Sequence, residues 1–322
     1  MKRTTFFSSL LTTVLGIVIA SPANAGCTFT WKATATTSNW RDTGNWSSVA
    51  CDHGYPVSGD IAIIVQVTTG LPPVIDDQDE VVATLTVNSG GVLTITGQML
   101  TLDGTAQHDI DGVVNLASDA SNSVLKVTGA DVTMDITGQI LLKASKSVLA
   151  FTADATVDGD GSIEGQHNDA RIEIANSILT SSMLIQGKMS VKMDIVAASA
   201  AFVNDGTIRA NQSGTLCLGA SVSLSGSGNF EISTNSNAVL KFNADATGLT
   251  GNFRLCRDAK ILIADGVDIS TTGCLDEIAA NGFLDFEAVP ETGSFAHDDD
   301  TCSGGSAQSY TADTEFTGTC NS

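Results

Sequence analysis

A short glycine-led pattern recurs along most of the chain and constrains its fold more than any other feature. The pattern is Gly-x-apolar-x-apolar, and the second position after the glycine is apolar in every copy. The copies begin at Gly91, Gly112, Gly138, Gly161, Gly187, Gly206, Gly228 and Gly251. Seven steps lead from the first glycine to the last, so the mean repeat is about 23 residues, a length typical of solenoid proteins. This period predicts one structural unit stacked many times.

Each copy alternates apolar and polar residues with a period of two, which is typical of a strand buried on one face. Two or three such strands in each repeat of about 23 residues predict an all-β parallel β-helix, or β-solenoid. Each strand should pair with its equivalent one coil later, so that the second position after the glycine forms one interior file. The predicted file is Leu93, Val114, Ile140, Ile163, Met189, Ile208, Phe230 and Phe253.

Two further patterns agree with stacked coils. The segment from Val148 to Thr156 returns in similar form from Val239 to Thr247, four repeats later. No proline occurs between Pro73 and Pro290. Because nearly every strand N–H of a stacked solenoid bonds to the neighbouring coil, proline would remove a hydrogen bond at almost any strand position.

The segment over 1–25 has the organisation of a secretory signal peptide. Two cations precede an uncharged apolar stretch over 6–20, and Ala23-Asn24-Ala25 is a small-residue cleavage site. The mature chain is therefore expected to begin at Gly26 and to be exported to the extracellular space or the cell surface, with the periplasm as an alternative. Ala25-Gly26-Cys27 also matches the end of a bacterial lipobox, so a lipid anchor on Cys27 is a second alternative.

All seven cysteines follow the predicted cleavage site. An oxidising compartment favours disulfides, and no C-x-x-C spacing indicates zinc or redox chemistry. Cys27 with Cys51 and Cys302 with Cys320 are plausible local pairs. Seven is an odd number, so one thiol is expected to stay outside the intramolecular pairs.

The charge of the chain restricts its partners. Fifteen Lys and Arg against 36 Asp and Glu give a formal net charge of −21, so nucleic acid is not an expected partner. No segment after the signal peptide approaches 18 consecutive apolar residues, so no transmembrane segment is expected.

Candidate chemical groups are few. Carboxylates cluster in three places where calcium, which prefers several oxygen ligands, is a possible ion. The candidate ligands are Asp158, Asp160 and Glu164, and Asp298, Asp299 and Asp300, and the third cluster is Asp76, Asp77, Asp79 and Glu80. An acidic soluble surface explains the same residues, so no cofactor is expected and calcium stays an alternative. The four histidines are far apart in sequence, and no convergent set of catalytic residues is visible.

The two ends of the repeat differ from its middle. The sequence predicts four regions: a signal peptide over 1–25, a cap and first coil over 26–82, the β-helix over 83–272, and a C-terminal cap with an acidic tail over 273–322. All three tryptophans lie in the N-terminal part, where their rings can close the apolar end of the first coil: Trp31, Trp40 and Trp46.

The N-terminal part also carries a resemblance. Gly44-Asn45-Trp46, Pro56 and the strand that follows Gly59-Asp60 resemble the opening of bacterial secreted β-helix proteins of the autotransporter-passenger and haemagglutinin-like adhesin kind. The resemblance covers roughly residues 29–255. It implies a right-handed parallel β-helix with a structural or adhesive role and no catalytic residues.

Three functions are compatible with these observations. The first is a secreted or surface solenoid that is structural or adhesive, without catalysis, and binds glycans, cell surfaces or copies of itself. The second is a polysaccharide lyase or hydrolase, which would gather carboxylates and a basic residue from neighbouring coils. The third is a ligand-binding module, which would need Thr, Ser or Asn in one outward column over several coils.

Overall fold

A computed structural model describes residues 26–49, 51–193, 200–219, 223–232, 238–255, 260–263, 269–276, 282–286, 293–296, 308–310 and 314–316. The fold is a β-solenoid of about eight turns with about 23 residues in each turn, so the predicted parallel β-helix is confirmed. The signal peptide, Asp298 to Asp300, and both Cys302 and Cys320 lie outside the described residues.

The described residues contain one short 3-10 helix, Thr43–Asn45, and 32 strands. The strands are β1 Thr28–Trp31, β2 Trp46–Ser48, β3 Ile61–Ile64, β4 Val74–Ile75, β5 Glu80–Val82, β6 Thr84–Val87, β7 Val92–Ile95, β8 Met99–Leu102, β9 His108–Ile110, β10 Val113–Leu116, β11 Ser123–Val127, β12 Val132–Ile136, β13 Gln139–Leu142, β14 Ser147–Phe151, β15 Ala155–Asp158, β16 Ser162–Ile174, β17 Ile178–Ser181, β18 Leu184–Met193, β19 Ala201–Asn204, β20 Thr207–Ala210, β21 Gly214–Leu218, β22 Ser223–Gly226, β23 Asn229–Ile232, β24 Ala238–Phe242, β25 Ala246–Leu249, β26 Phe253–Leu255, β27 Lys260–Ile263, β28 Ile269–Asp276, β29 Gly282–Phe286, β30 Gly293–Ala296, β31 Gln308–Tyr310 and β32 Thr314–Phe316.

The strands form three faces, and each turn of the solenoid adds one strand to each face. Face 1 contains β1, β3, β6, β9, β12, β15, β17, β19, β22 and β25. Face 2 contains β4, β7, β10, β13, the first parts of β16 and β18, β20, β23 and β26. Face 3 contains β5, β8, β11, β14, the second parts of β16 and β18, β21, β24, β27 and β29. All these pairings are parallel.

The interior file predicted from the repeat exists on face 2, with one correction. Ile163 pairs with Ile185, and Ile185 pairs with Ile208, so Met189 does not belong to this file. Every member is at most 1% exposed: Leu93, Val114, Ile140, Ile163, Ile185, Ile208, Phe230 and Phe253. The Phe230 and Phe253 rings stack with centroids 4.8 Å apart, which matches the spacing of neighbouring strands.

The corner before face 2 explains both why glycine recurs and why Met189 was wrongly predicted to belong to the interior file. A Cβ on Gly138 would lie 1.9 Å from the carbonyl oxygen of Gly112, because stacked corners leave no room for a side chain. Met183 occupies the equivalent corner in the turn that contains Ile185, so the glycine signal is absent there. Gly187 lies further along the same strand and stacks on Gly165 instead.

The N-terminal end is closed by aromatic rings, as expected. Trp46 contacts Trp31 and Trp40 edge to face, with centroids 4.9 and 4.8 Å apart. All three rings are at most 3% exposed and belong to the same apolar core as the coils. The side-chain amide of Asn45 donates to the carbonyl oxygens of Thr37 and Asn39, so the Gly-Asn-Trp segment holds the loop before it.

Four further contacts stabilise this cap. Cys27 and Cys51 form a disulfide, which confirms the predicted pair. Their bond occupies the Cys27 sulfur that a lipid anchor would need. Arg41 donates to Glu80, whose carboxylate is 5% exposed, and lies over the ring of Tyr55. Strand β2 adds to β1 in antiparallel orientation.

The C-terminal end also departs from parallel pairing. Strand β32 pairs with β29, and β31 pairs with β30, both in antiparallel orientation. Strand β29 stacks on β27 in parallel orientation and continues face 3.

Candidate functional site: the acidic and hydroxyl columns of face 1

Carboxylates from three consecutive coils form one outward column on face 1. Asp135 pairs with Asp109 on one side and with Asp158 on the other. Parallel strands lie about 4.8 Å apart, so these side chains neighbour one another along the solenoid. Their positions follow from the alternation in β9, β12 and β15, because the residues beside them in each strand point into the core.

The crowding of like charges changes the protonation of the middle residue. Partial burial, followed by the negative charges of Asp158 and Asp109, raises the pKa of Asp135 above its ordinary value. Asp111 and Asp160 add smaller effects in the same direction. Asp135 therefore takes up a proton more readily than an isolated aspartate.

Hydrogen bonds hold the neighbouring carboxylates in position. Gln107 Nε2 donates to Asp109 Oδ1 at 2.7 Å, and Thr137 Oγ1 donates to Asp111 Oδ1 at 2.6 Å. The second bond joins adjacent coils beside the acidic column.

A column of hydroxyl side chains runs beside the acidic column. Thr133 pairs with Thr156, and Thr156 pairs with Thr180. The column continues through Val203 to Ser225. All five side chains point away from the core and are partly or fully exposed. The glycine-led repeat lies at the start of face 2, so it did not predict this column on face 1. Its signal is the repeated Asp-x-Thr-x-Asp of residues 131–135 and 154–158.

Charge is distributed unequally over the faces. Within the described residues, no strand of face 1 contains Lys or Arg. Cations do occur in strands of the other faces, and two of them have acidic partners. Arg209 on face 2 binds Glu231 at 2.6 Å, and Arg171 on face 3 binds Glu173. Face 1 is therefore an anionic surface.

The candidate calcium ligands separate into different surroundings. Asp158 and Asp160 belong to the acidic group around Asp135. Glu164 lies on face 2, where it accepts hydrogen bonds from Gln166 and Gln212, so the predicted three-residue group is not a single site. The carboxylates of face 1 are the kind of ligand that calcium prefers, and calcium binding there stays a prediction.

The histidines are also distributed as the sequence suggested. His108 lies on a strand of face 1 but points inward and is fully buried. Burial lowers its pKa to about 4, so it is neutral at pH 7. His167 lies within β16, between its two paired parts, and its side chain is 43% exposed. His53 belongs to the N-terminal cap.

Comparison with known proteins gives no relative. No protein-family model, no curated protein and no solved structure matches this chain. Among the described residues, no helix has the length and apolar character needed to cross a membrane.

Proposed function

We propose that this protein is an exported structural and adhesive β-solenoid that binds through face 1 and acts without catalysis. The observation that supports the proposal is the parallel arrangement of a hydroxyl column and a carboxylate column on one face of a capped rod. The Cys27–Cys51 disulfide supports export, because such bonds persist in oxidising compartments.

The chemistry of face 1 suits a polymer with regularly spaced hydroxyl groups, such as a glycan on a cell surface. Thr133, Thr156 and Thr180 supply donors and acceptors, and Asp135 and Asp158 supply acceptors beside them. Each contact is weak alone. Repetition at about 4.8 Å lets several contacts form at once, which raises the overall affinity through multivalency.

A matched pair of variants tests the proposal. Thr156→Tyr places a bulky ring in the middle of the hydroxyl column, whereas Thr101→Tyr makes the same change on face 3. Both positions are outward strand positions that accept aromatic residues. On glycan arrays and on cells, Thr156→Tyr should lose at least tenfold in binding and Thr101→Tyr should retain it. Equal binding by the two variants would refute face 1 as the adhesive surface, and binding of neither glycans nor cells by the unaltered protein would refute adhesion.

A second candidate function is polysaccharide cleavage, and the raised pKa of Asp135 favours it. Catalysis by two carboxylates requires one protonated acid near one ionised base. Asp135 could be the acid, and Asp109 or Asp158 the base. A screen of polysaccharide cleavage tests this: activity that disappears in Asp135→Asn would support an enzyme, and activity unchanged in that variant would exclude this site.

A further inference from the structure

The N-terminal cap gathers metal-binding side chains outside the proposed adhesive face. Sγ of Cys27, a ring nitrogen of His53 and a carboxylate oxygen of Asp60 all lie within 4.8 Å of one another. Cys51 Sγ is bonded to Cys27 Sγ and so lies next to this group of three. Three residues thus offer one sulfur, one nitrogen and one oxygen near one point, with a second sulfur bonded to the first.

The ligand atoms are already oriented by neighbours. His53 Nδ1 contacts Asp52 at 2.8 Å, which directs Nε2 towards Asp60 Oδ2 at 2.6 Å. A carboxylate on the second ring nitrogen is the usual companion of a metal-bound histidine. The N–H of Cys27 donates to Asp60 Oδ1 at 2.7 Å and fixes the carboxylate, while Val57 N–H donates to Oδ2 at 2.9 Å.

We propose that reduction of the Cys27–Cys51 disulfide converts this group into a zinc site with Cys27, Cys51, His53 and Asp60 as ligands. Two thiolates, one imidazole and one carboxylate form a tetrahedral set that suits Zn²⁺ and disfavours calcium and magnesium. Tetrahedral zinc places ligand atoms about 3.3 to 3.8 Å apart, so the three atoms that lie within 4.8 Å of one another need only small shifts. Cys51 Sγ joins them by rotation of its side chain once the S–S bond is broken. Disulfide and zinc exclude one another, because a sulfur in a disulfide is not a thiolate.

The exchange balances as follows. A phosphine reductant gives two electrons to the S–S bond, which breaks, and the phosphine becomes a phosphine oxide with the oxygen of one water molecule. The two protons of that water complete the two thiols. Zinc then displaces the proton of each thiol and any proton on His53 Nε2, and these leave to solvent. The cap can therefore be cross-linked in two alternative ways, by the disulfide or by a zinc ion.

The experiment measures zinc affinity of the full chain, oxidised and reduced with a phosphine, against a chromophoric competitor. The reduced protein should bind one more zinc per chain than the reduced Cys27→Ser/Cys51→Ser variant, which corrects for the other five cysteines. Cobalt in place of zinc should show stronger thiolate charge-transfer absorption in the unaltered protein. The oxidised protein should lack this site.

His53→Gln provides a variant that keeps the disulfide and therefore the fastened cap when oxidised. After reduction its zinc affinity at this site should fall at least tenfold, whereas His167→Gln should bind as the unaltered protein does. Equal zinc counts for the unaltered protein and the double serine variant would overturn the proposal. Equal affinities of the two histidine variants, or equal binding by oxidised and reduced protein, would overturn it as well.

Discussion

Protonation of His108 should destabilise the solenoid in mildly acidic solution. The imidazole is fully buried in the file that contains Leu85 and Met134, and its Nε2 has no hydrogen-bond partner. Its Nδ1 accepts a long contact of 3.4 Å from the N–H of Leu85. A charged imidazolium in this position would lose its hydration without gaining a partner.

The magnitude follows from the pKa. Burial lowers the pKa of His108 from 6.5 to about 4 in the folded protein. Between these values the unfolded chain binds more protons than the folded chain, so the free energy of unfolding falls as the pH falls. One pKa unit corresponds to about 1.4 kcal/mol. Above about pH 6.5 His108 does not lower the free energy of unfolding. By pH 4 the free energy of unfolding has fallen by about 3 kcal/mol.

Urea denaturation of three proteins between pH 7.5 and 4 measures this loss. His108→Leu removes the titrating group and should lose about 3 kcal/mol less than the unaltered protein over this interval. His167→Gln removes an exposed histidine and should follow the unaltered protein. Parallel pH profiles for His108→Leu and the unaltered protein would refute the reasoning, because they would mean that His108 does not titrate differently on folding.

Three further predictions concern the coils and the cap. Gly138→Ala should destabilise the protein by about 3 kcal/mol in urea denaturation, since its Cβ would meet the Gly112 carbonyl; a change below 0.5 kcal/mol, roughly the effect of a surface substitution, would contradict the stacked corner. Asp135→Asn should stabilise the protein by about 0.5 kcal/mol at pH 7 by relieving repulsion, and the gain should shrink in acid as the aspartate takes up its proton. Asp119→Asn should instead destabilise the protein at pH 7, because hydrogen bonds from the next coil favour the charged carboxylate and lower the pKa of Asp119. Stabilisation by Asp119→Asn would show that general charge reduction explains both results. Cys51→Ser should cost about 3 kcal/mol in non-reducing buffer and nothing once the unaltered protein is reduced without metal.

The sequence predicts the solenoid well because the corners of the coils favour glycine, which is visible in the sequence. Glycine recurs at most of the corners before face 2, where a Cβ would collide with the corner of the previous coil, and the alternation that follows it identifies the inward residues. The prediction was wrong in one turn because Met183 stands at that corner, so the nearest glycine, Gly187, led to Met189 in place of Ile185.

The candidate site on face 1 was harder to predict. Asp109 and Asp135 lie in different repeats of the sequence and become neighbours only when the register of face 1 is known. The sequence pattern treated Asp158, Asp160 and Glu164 as one group, but a turn of the chain places Glu164 on another face. The contact between His53 and Asp60 depends on the folded cap and has no repeat to reveal it.

The central claim is that successive coils stack in register, and a distance along one outward column tests it most directly. Thr94 and Glu231 are six coils apart on face 2, through Asn115, Leu141, Glu164, Gln186 and Arg209. Spin labels at these two positions, attached through unnatural amino acids to spare the cysteines, should show a narrow distance distribution centred at about 29 Å by pulsed electron resonance, since each step is about 4.8 Å. A broad distribution, or one centred beyond about 40 Å, would contradict the stacked solenoid.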